Sequence, residues 1–380
     1  MNTGFSYWEQ DSFLSGYDVL IIGSGIVGLN AALHLKSSQP ALKVGVLEAG
    51  FLPAGASTKN AGFACFGSIS ELIDELKDSS LDELLQVVEM RWKGLEKLRQ
   101  NLGDQAIDYL PLGGYEIFRK EDDELVNACL DKIDYFNQAL KTIIQKPDIY
   151  AVANEKIAAF GFQNISCMIE NRYEAQIDTG KMMQALLSKV QGLGISVFNH
   201  CHLNSIENDS EKLKLFTSQG VFICKKVILA TNAFISDLYP ELDVVPGRGQ
   251  VLITKPIPDL KIQGTFHYDK GYYYFRNIHN RILLGGGRNL DFAAEETTLP
   301  GVTHQIQTKL EKLLSEVILP GYAPQIEQRW SGVMAFGNTL HPIIKELEPH
   351  VFCAVRCNGM GVAMGSLTGE KVADLMLQNL

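Results

Sequence analysis

Apolar residues follow two rhythms along this chain: short unbroken runs, and longer stretches in which they recur every three or four positions. The run Val19-Leu20-Ile21-Ile22 ends at a glycine and predicts a strand over 18–22. A second strand is predicted over 43–47, with a helix at about 26–37 between the two. Ser80 and Glu83 have the spacing of a capping box, so a helix opens there. It carries Leu81, Leu84, Leu85, Val88, Trp92 and Leu95 on one face and ends near Gly103. Leu112 to Phe118 predicts a strand, and Leu125, Ile133, Phe136, Leu140 and Ile143 predict one amphipathic helix at about 122–145. Residues 195–230 hold three or four short strands ending in Val227-Ile228-Leu229-Ala230-Thr231. A long strand pair follows at about 265–288, then a helix at about 304–318 and a strand–turn–helix at 351–378. There is no repeat, low-complexity tract or proline-rich linker. This alternation implies an α/β fold in which a substrate domain is inserted into a nucleotide-binding one, each discontinuous in sequence.

The glycines after the first strand sharpen that picture. Gly23 allows a tight turn, Gly25 lets the backbone approach a pyrophosphate, and Gly28 lets the helix pack closely on the strand. The helix beginning at Ile26 offers its positive N-terminus to the pyrophosphate. Glu48, with Ala49 after it, stands about 20 residues past the last glycine, where a ribose-binding acid is expected. Strand, glycines, helix and acid together specify a dinucleotide site.

Charge and composition remove other classes. A formal net charge of −10 over 380 residues argues against nucleic acid as a partner. The most apolar stretch, 17–35, is interrupted by Asp18, Asn30 and His34, so no membrane span is expected. The N-terminus lacks the basic-then-apolar pattern of a signal peptide. Seven cysteines without a CxxC pair suggest reduced thiols in a cytoplasmic protein. Cys353 and Cys357 are expected in the core, and no metal site is expected.

Downstream segments bear on which dinucleotide is bound. Ala56, Ser57, Thr58, Lys59, Asn60, Ala61 and Gly62 form a loop of small and polar residues able to lie against a large flat cofactor. Ala230, Thr231 and Asn232 close the strand run, and Arg248 sits in Pro246-Gly247-Arg248-Gly249-Gln250. Asn358, Gly359, Met360, Gly361 and Val362 follow the last strand and open a helix, whose N–H groups would face the electron-rich pyrimidine end of a flavin. All are candidate cofactor contacts.

These segments resemble, in order, those of the FAD-dependent amine and amino acid oxidoreductase family, which includes D-amino acid oxidase, glycine oxidase, sarcosine oxidase and γ-glutamylputrescine oxidase. The matching stretches are YDVLIIGSGIVGL, Glu48, GASTKNAGF, EAQIDTGKMMQAL, PGRGQV, RILLGGG, WSGVMAFGNTLHPII and NGMGVAMGSLTGEKVADLM. The resemblance implies a Rossmann-like FAD-binding domain over 1–80, 166–245 and 335–380. The interleaved α+β substrate domain, with its mostly antiparallel sheet, would then take 81–165 and 246–334. It implies hydride transfer from the carbon of a primary or secondary amine to flavin N5. The resulting imine hydrolyses, and oxygen or another electron acceptor reoxidises the flavin.

Departures from the family redirect the reading. Met334 stands where α-amino acid oxidases of the family carry a carboxylate-binding arginine, a feature shared with the γ-glutamylputrescine oxidase branch. Sarcosine oxidases attach flavin to a cysteine near the position of Gly332, so FAD here is expected to be non-covalent. Leu283 takes the place of their oxygen-activating lysine. Tyr272, Tyr274 and Arg276 share a strand face and are the candidate catalytic residues, with Tyr272 matching a family pocket tyrosine. Arg276 or Arg288 could hold a substrate carboxylate, Lys59 is a further polar candidate, and His341 is expected to be structural. The alternatives are a dehydrogenase of a hydroxy acid or similar alcohol, and a non-catalytic flavoprotein. The Tyr7–Trp8 pair suggests a docked N-terminal arm.

Overall fold

A computed structural model describes residues 4–209 and 212–378. In chain order its strands are β1 Tyr17–Ile22, β2 Val44–Leu47, β3 Phe63–Ala64, β4 Gly114–Arg119, β5 Tyr150–Val152, β6 Ile165–Asn171, β7 Ala175–Gln176, β8 Ser196–Phe198 and β9 Leu203–Asp209. They continue with β10 Lys212–Thr217, β11 Gly220–Leu229, β12 Val245–Thr254, β13 Thr265–Tyr268, β14 Tyr273–Ile278, β15 Arg281–Gly286, β16 Ile326–Phe336, β17 Ile343–Glu348 and β18 Val351–Val355. The helices are α1 Ile26–Ser38, α2 Ile69–Glu75, α3 Leu81–Leu102, α4 Asp123–Leu130, α5 Ile133–Ile144, α6 Glu155–Phe160, α7 Thr179–Gly192, α8 Phe292–Glu295, α9 His304–Leu313 and α10 Gly361–Leu377.

The first sheet runs β17-β18-β11-β1-β2-β8, parallel except at β17, and β10 and β9 extend it antiparallel from β11. Its strands are apolar because both faces are covered. Val19 and Ile21 of β1 join α1, α3, α7 and α10 in one core, while Leu20 and Ile22 face a second core closed by the β9–β10 hairpin. The second sheet runs β16-β12-β15-β14-β13-β4-β6-β5, antiparallel except where β13 meets β4. Alternation separates its faces. Phe266, Phe275 and Leu284 pack under α9, whereas Glu116, His267, Tyr274, Leu283 and Trp330 point the other way.

The capping box at Ser80 and Glu83 opens α3 as expected, and a second one, Ser68 with Glu71, opens α2. Three expectations change. The helix over 122–145 breaks at Asp131–Lys132, because α4 packs towards α2 and β4 while α5 turns to α3. The strand pair over 265–288 is three strands, with a reversal at Asp269 and Lys270, both at positive φ. The arm is not docked through its aromatic pair: Tyr7 and Trp8 are 70% and 71% exposed and stack edge-on against each other. The expected domain boundaries cut through elements, since β6 pairs within the second sheet and α3 contributes Leu95 to one core and Leu84 to another.

Candidate functional site

A cavity of about 750 Å³ opens at the C-terminal ends of β1, β2 and β18 and extends along the inner face of the second sheet. This is the edge at which an open parallel sheet binds ligands. At the β1 end the lining is mainly backbone. Gly23 has φ +103°, and a Cβ there would sit 2.7 Å from the Ala230 carbonyl oxygen. A Cβ on Gly28 would sit 2.0 Å from the Gly23 oxygen, which seats α1 against the turn. The Ile26 N–H, first in the helix, donates to Ser57 Oγ at 2.9 Å. Glu48 is buried and accepts from Ser24 N–H (3.0 Å), the Ser24 hydroxyl (2.7 Å) and Gly50 N–H (2.9 Å). It is thus fixed at the cavity edge, with lone pairs left for a ribose.

Gly25, Ile26, Glu48, Ala49, Ala56, Ser57, Lys59, Asn60, Ala61, Ala230, Thr231, Asn232, Asn358, Gly359, Met360, Gly361 and Val362 all line this one cavity with Gly23. Asn60 braces the 56–62 loop: its amide donates to Ser57 O at 2.9 Å, and its carbonyl accepts from Gly62 N–H at 2.9 Å and from Thr179 at 2.8 Å. Thr231 Oγ1 is buried beside the glycine turn without a partner among the described residues, and the first turn of α10 presents N–H groups to the far end. An elongated cavity with an acid, an orphaned hydroxyl and helix N-termini at α1 and α10 fits a dinucleotide such as FAD.

Five expected residues fall outside the lining. Gly28 lies beneath the turn, and the Thr58 hydroxyl donates to Pro53 O at 2.6 Å. Gly62 packs against the Ile177 oxygen. The expectation for Arg248 is corrected by a two-pronged pair to buried Glu295, at 2.9 and 2.8 Å. The expectation for Arg276 is corrected by its donation to Gly62 O (2.8 Å) and Ile177 O (2.7 Å), which ties the flavin-type loop to β14. Burial pushes this guanidinium down to about 10.

The other end of the cavity is built from side chains. Tyr272 and Tyr274 line it, and burial pushes the Tyr274 phenol up to about 12. Gly249 leaves the space through which the Met334 methyl and the Tyr274 hydroxyl approach each other, 2.8 and 3.9 Å from the point its Cβ would take. Arg288 lines the same end with its guanidinium 4.0 Å from the Phe336 ring centre and 4.9 Å from that of Phe292. It has no ion pair among the described residues, and burial lowers its pKa. Leu283 is in the core, and Gly332 faces Lys59. Sequence reasoning missed Glu71, His267 and Phe336. Only strand alternation hinted at His267, and the local signal at Glu71, its capping-box spacing from Ser68, marks a helix start and not a cavity wall.

The profile of the FAD dependent oxidoreductase family, DAO, matches residues 18–375. Gamma-glutamylputrescine oxidoreductase of Escherichia coli (strain K12) is 25% identical over 94% of this chain and 83% of its own length. Glycine oxidase of Geobacillus kaustophilus (strain HTA426) is 23% identical over 95% and 93%. The crystal structure of glycine oxidase from Geobacillus kaustophilus superposes with a TM-score of 0.76 at 20% identity, covering 96% of this chain and 95% of that one.

Proposed function

The chain belongs to the FAD dependent oxidoreductase family, and from that premise we propose that it oxidises the carbon–nitrogen bond of a small primary or secondary amine bearing a carboxylate. The observation carrying this reading is the pairing, at one cavity end, of an unpaired guanidinium, Arg288, with the apolar and phenolic wall of Met334, Phe336, Tyr272 and Tyr274. Arg288 anchors the carboxylate, and the aromatic rings hold the carbon skeleton and exclude water. When bound, FAD supplies the hydride acceptor. Gly23, Gly25, Ile26 and Ser57 would hold its pyrophosphate, Glu48 its ribose, and the α10 N-terminus the pyrimidine end of its ring.

FAD is held without a covalent bond on this reading. Gly332 offers no thiol, and burial pushes the thiols at the cavity wall, Cys65, Cys201 and Cys357, upwards. The relatives' names support an amine, since putrescine and glycine derivatives are amines. Leu283 supports an acceptor other than oxygen. The buried free cysteines support a reducing, cytoplasmic setting. Among the described residues no helix is long and apolar enough to cross a membrane.

The test is the visible spectrum of the oxygen-free holoenzyme during addition of amines, amino acids and hydroxy acids. Bleaching by carboxylate-bearing amines is expected. Bleaching by hydroxy acids alone, or by nothing but dithionite, overturns the reading.

A further inference from the structure

His267 lies on β13 with 7% of its surface exposed, and neither ring nitrogen has a hydrogen-bond partner among the described residues. A buried imidazole with no partner for either nitrogen is destabilising unless something else uses it. Its position supplies such a use, because it forms part of the wall of two spaces. On one side is the substrate end of the cavity, where a Cβ on Gly271 would lie within 4 Å of both His267 Nδ1 and Glu71 Oε2. On the other is an inner chamber of about 10 Å³, room for one water, walled by Tyr115, Glu116, Tyr150, Asn171 and Glu174. The Asn171 amide nitrogen there also lacks a partner.

Sheet register places the chamber's acid beside the imidazole. His267 pairs directly with Glu116 on β4, so the two side chains leave the sheet on the same face in adjacent strands. Glu116 is bound by the Ser70 N–H and hydroxyl, and Glu174 accepts from the N–H groups of Phe66 (3.0 Å) and Gly67 (3.1 Å). Burial raises Glu116 to about 7 and Glu174 to about 8, so both exchange protons near neutrality. Burial also lowers His267 to about 4, which keeps its resting imidazole neutral.

We propose that His267 is a proton passage between the substrate cavity and the buried Glu116–Glu174 chamber. This rests on the amine reading above. An amine reaches the site mainly as its ammonium, and that proton must leave before the adjacent carbon can give up hydride. One imidazole nitrogen takes it while the other releases its own to the chamber, where a carboxylate becomes a carboxylic acid. The amine is left neutral, and no electrons move. Other titratable groups facing His267 or the chamber are Glu71 from α2, Cys65 after β3, Lys270 in the β13–β14 turn, Tyr274 from β14, Tyr115 from β4 and Tyr150 from β5. Lys270 is paired with Asp74 at 3.0 Å, and Arg91 holds Glu75 at 2.8 Å and reaches Glu71 at 3.6 Å.

Two measurements on the holoenzyme test the passage. The infrared carbonyl band of the Glu116 carboxylic acid, assigned by its loss in Glu116→Gln, reports how fast that proton exchanges with deuterium oxide. His267→Leu is expected to slow the exchange by about tenfold or more, and an unchanged rate overturns the proposal. Flavin bleaching by an amine is expected to slow about tenfold or more in the same variant at low pH and to recover once the amine arrives neutral. An equal deficit at every pH also overturns it. His267→Gln, which keeps the polarity but cannot relay a proton, replaces the leucine variant if that one fails to fold. If no amine bleaches the flavin while exchange still depends on His267, the amine reading fails and the passage stands.

Discussion

The two ends of the cavity are made by different means. The nucleotide end is made of short local pieces, the β1–α1 turn, the acid after β2, the 56–62 loop and the start of α10, with much of its surface supplied by backbone at Gly23 and Gly25 while Gly28 seats α1 beneath the turn. The other end draws His267 from β13, Tyr274 from β14 and Met334 from β16, brought together by antiparallel register, and adds Arg288 from just past β15 and Glu71 from α2. A backbone surface tolerates little change, because an added Cβ strikes a carbonyl oxygen at Gly23 and Gly28 and the Ser57 hydroxyl at Gly25. A side-chain surface on a finished sheet can exchange Met, Arg or His with the strands left in place. The same fold can therefore keep one cofactor and change what it oxidises.

Substitutions at each end sharpen that contrast. The largest effect is expected from Gly28→Ala, whose methyl would meet the Gly23 oxygen at 2.0 Å. A loss of about 2–4 kcal/mol and of most bound flavin is expected, read by denaturant midpoint and by absorbance of the purified protein. Retained flavin would break the contrast. Arg288→Met is expected to keep flavin and fold but to raise KM about 10- to 100-fold for a carboxylate-bearing amine. The matching amine without the carboxylate should be little affected, and steady-state kinetics with the pair decides it.

Glu174 gives a smaller, pH-dependent signal. Its folded value of about 8 stands above the ordinary 4.5, so the native state holds a proton that the unfolded state has released. Stability from this group is fully present below about pH 4.5 and is lost as pH rises to about 8. Glu174→Gln should flatten that decline by on the order of 2 kcal/mol, seen in denaturant midpoints between pH 5 and 8. The smallest effect is expected from Trp8→Ala, which is exposed and belongs to neither end. Its midpoint should stay within about 0.5 kcal/mol of the parent.

The nucleotide end was legible because its information is contiguous. Gly23 through Gly28 and Glu48 obey spacings imposed by a single turn, and the loop from Ala56 to Ala61 follows directly. Tyr274, on β14, and Tyr272, just before it, both reach the cavity, but only Tyr274 does so through strand alternation. The same alternation placed Arg276 on the right face but could not show that the backbone oxygens of Gly62 and Ile177 would take up its guanidinium. Arg248 failed for the same reason, since its partner Glu295 comes from α8.

Turn geometry and strand and helix periods act over a few residues, so the dinucleotide cradle, the α/β order and the apolar faces can be read from the chain alone. Only the tertiary structure decided which of three arginines stays unpaired in the cavity, which acids share a chamber, and that His267 stands between them. Those outcomes depend on contacts between residues far apart in the chain, such as Thr265 and Gly113, which are 152 positions apart and share a hydrogen bond. Burial then sets which charges are neutralised and which remain free to act.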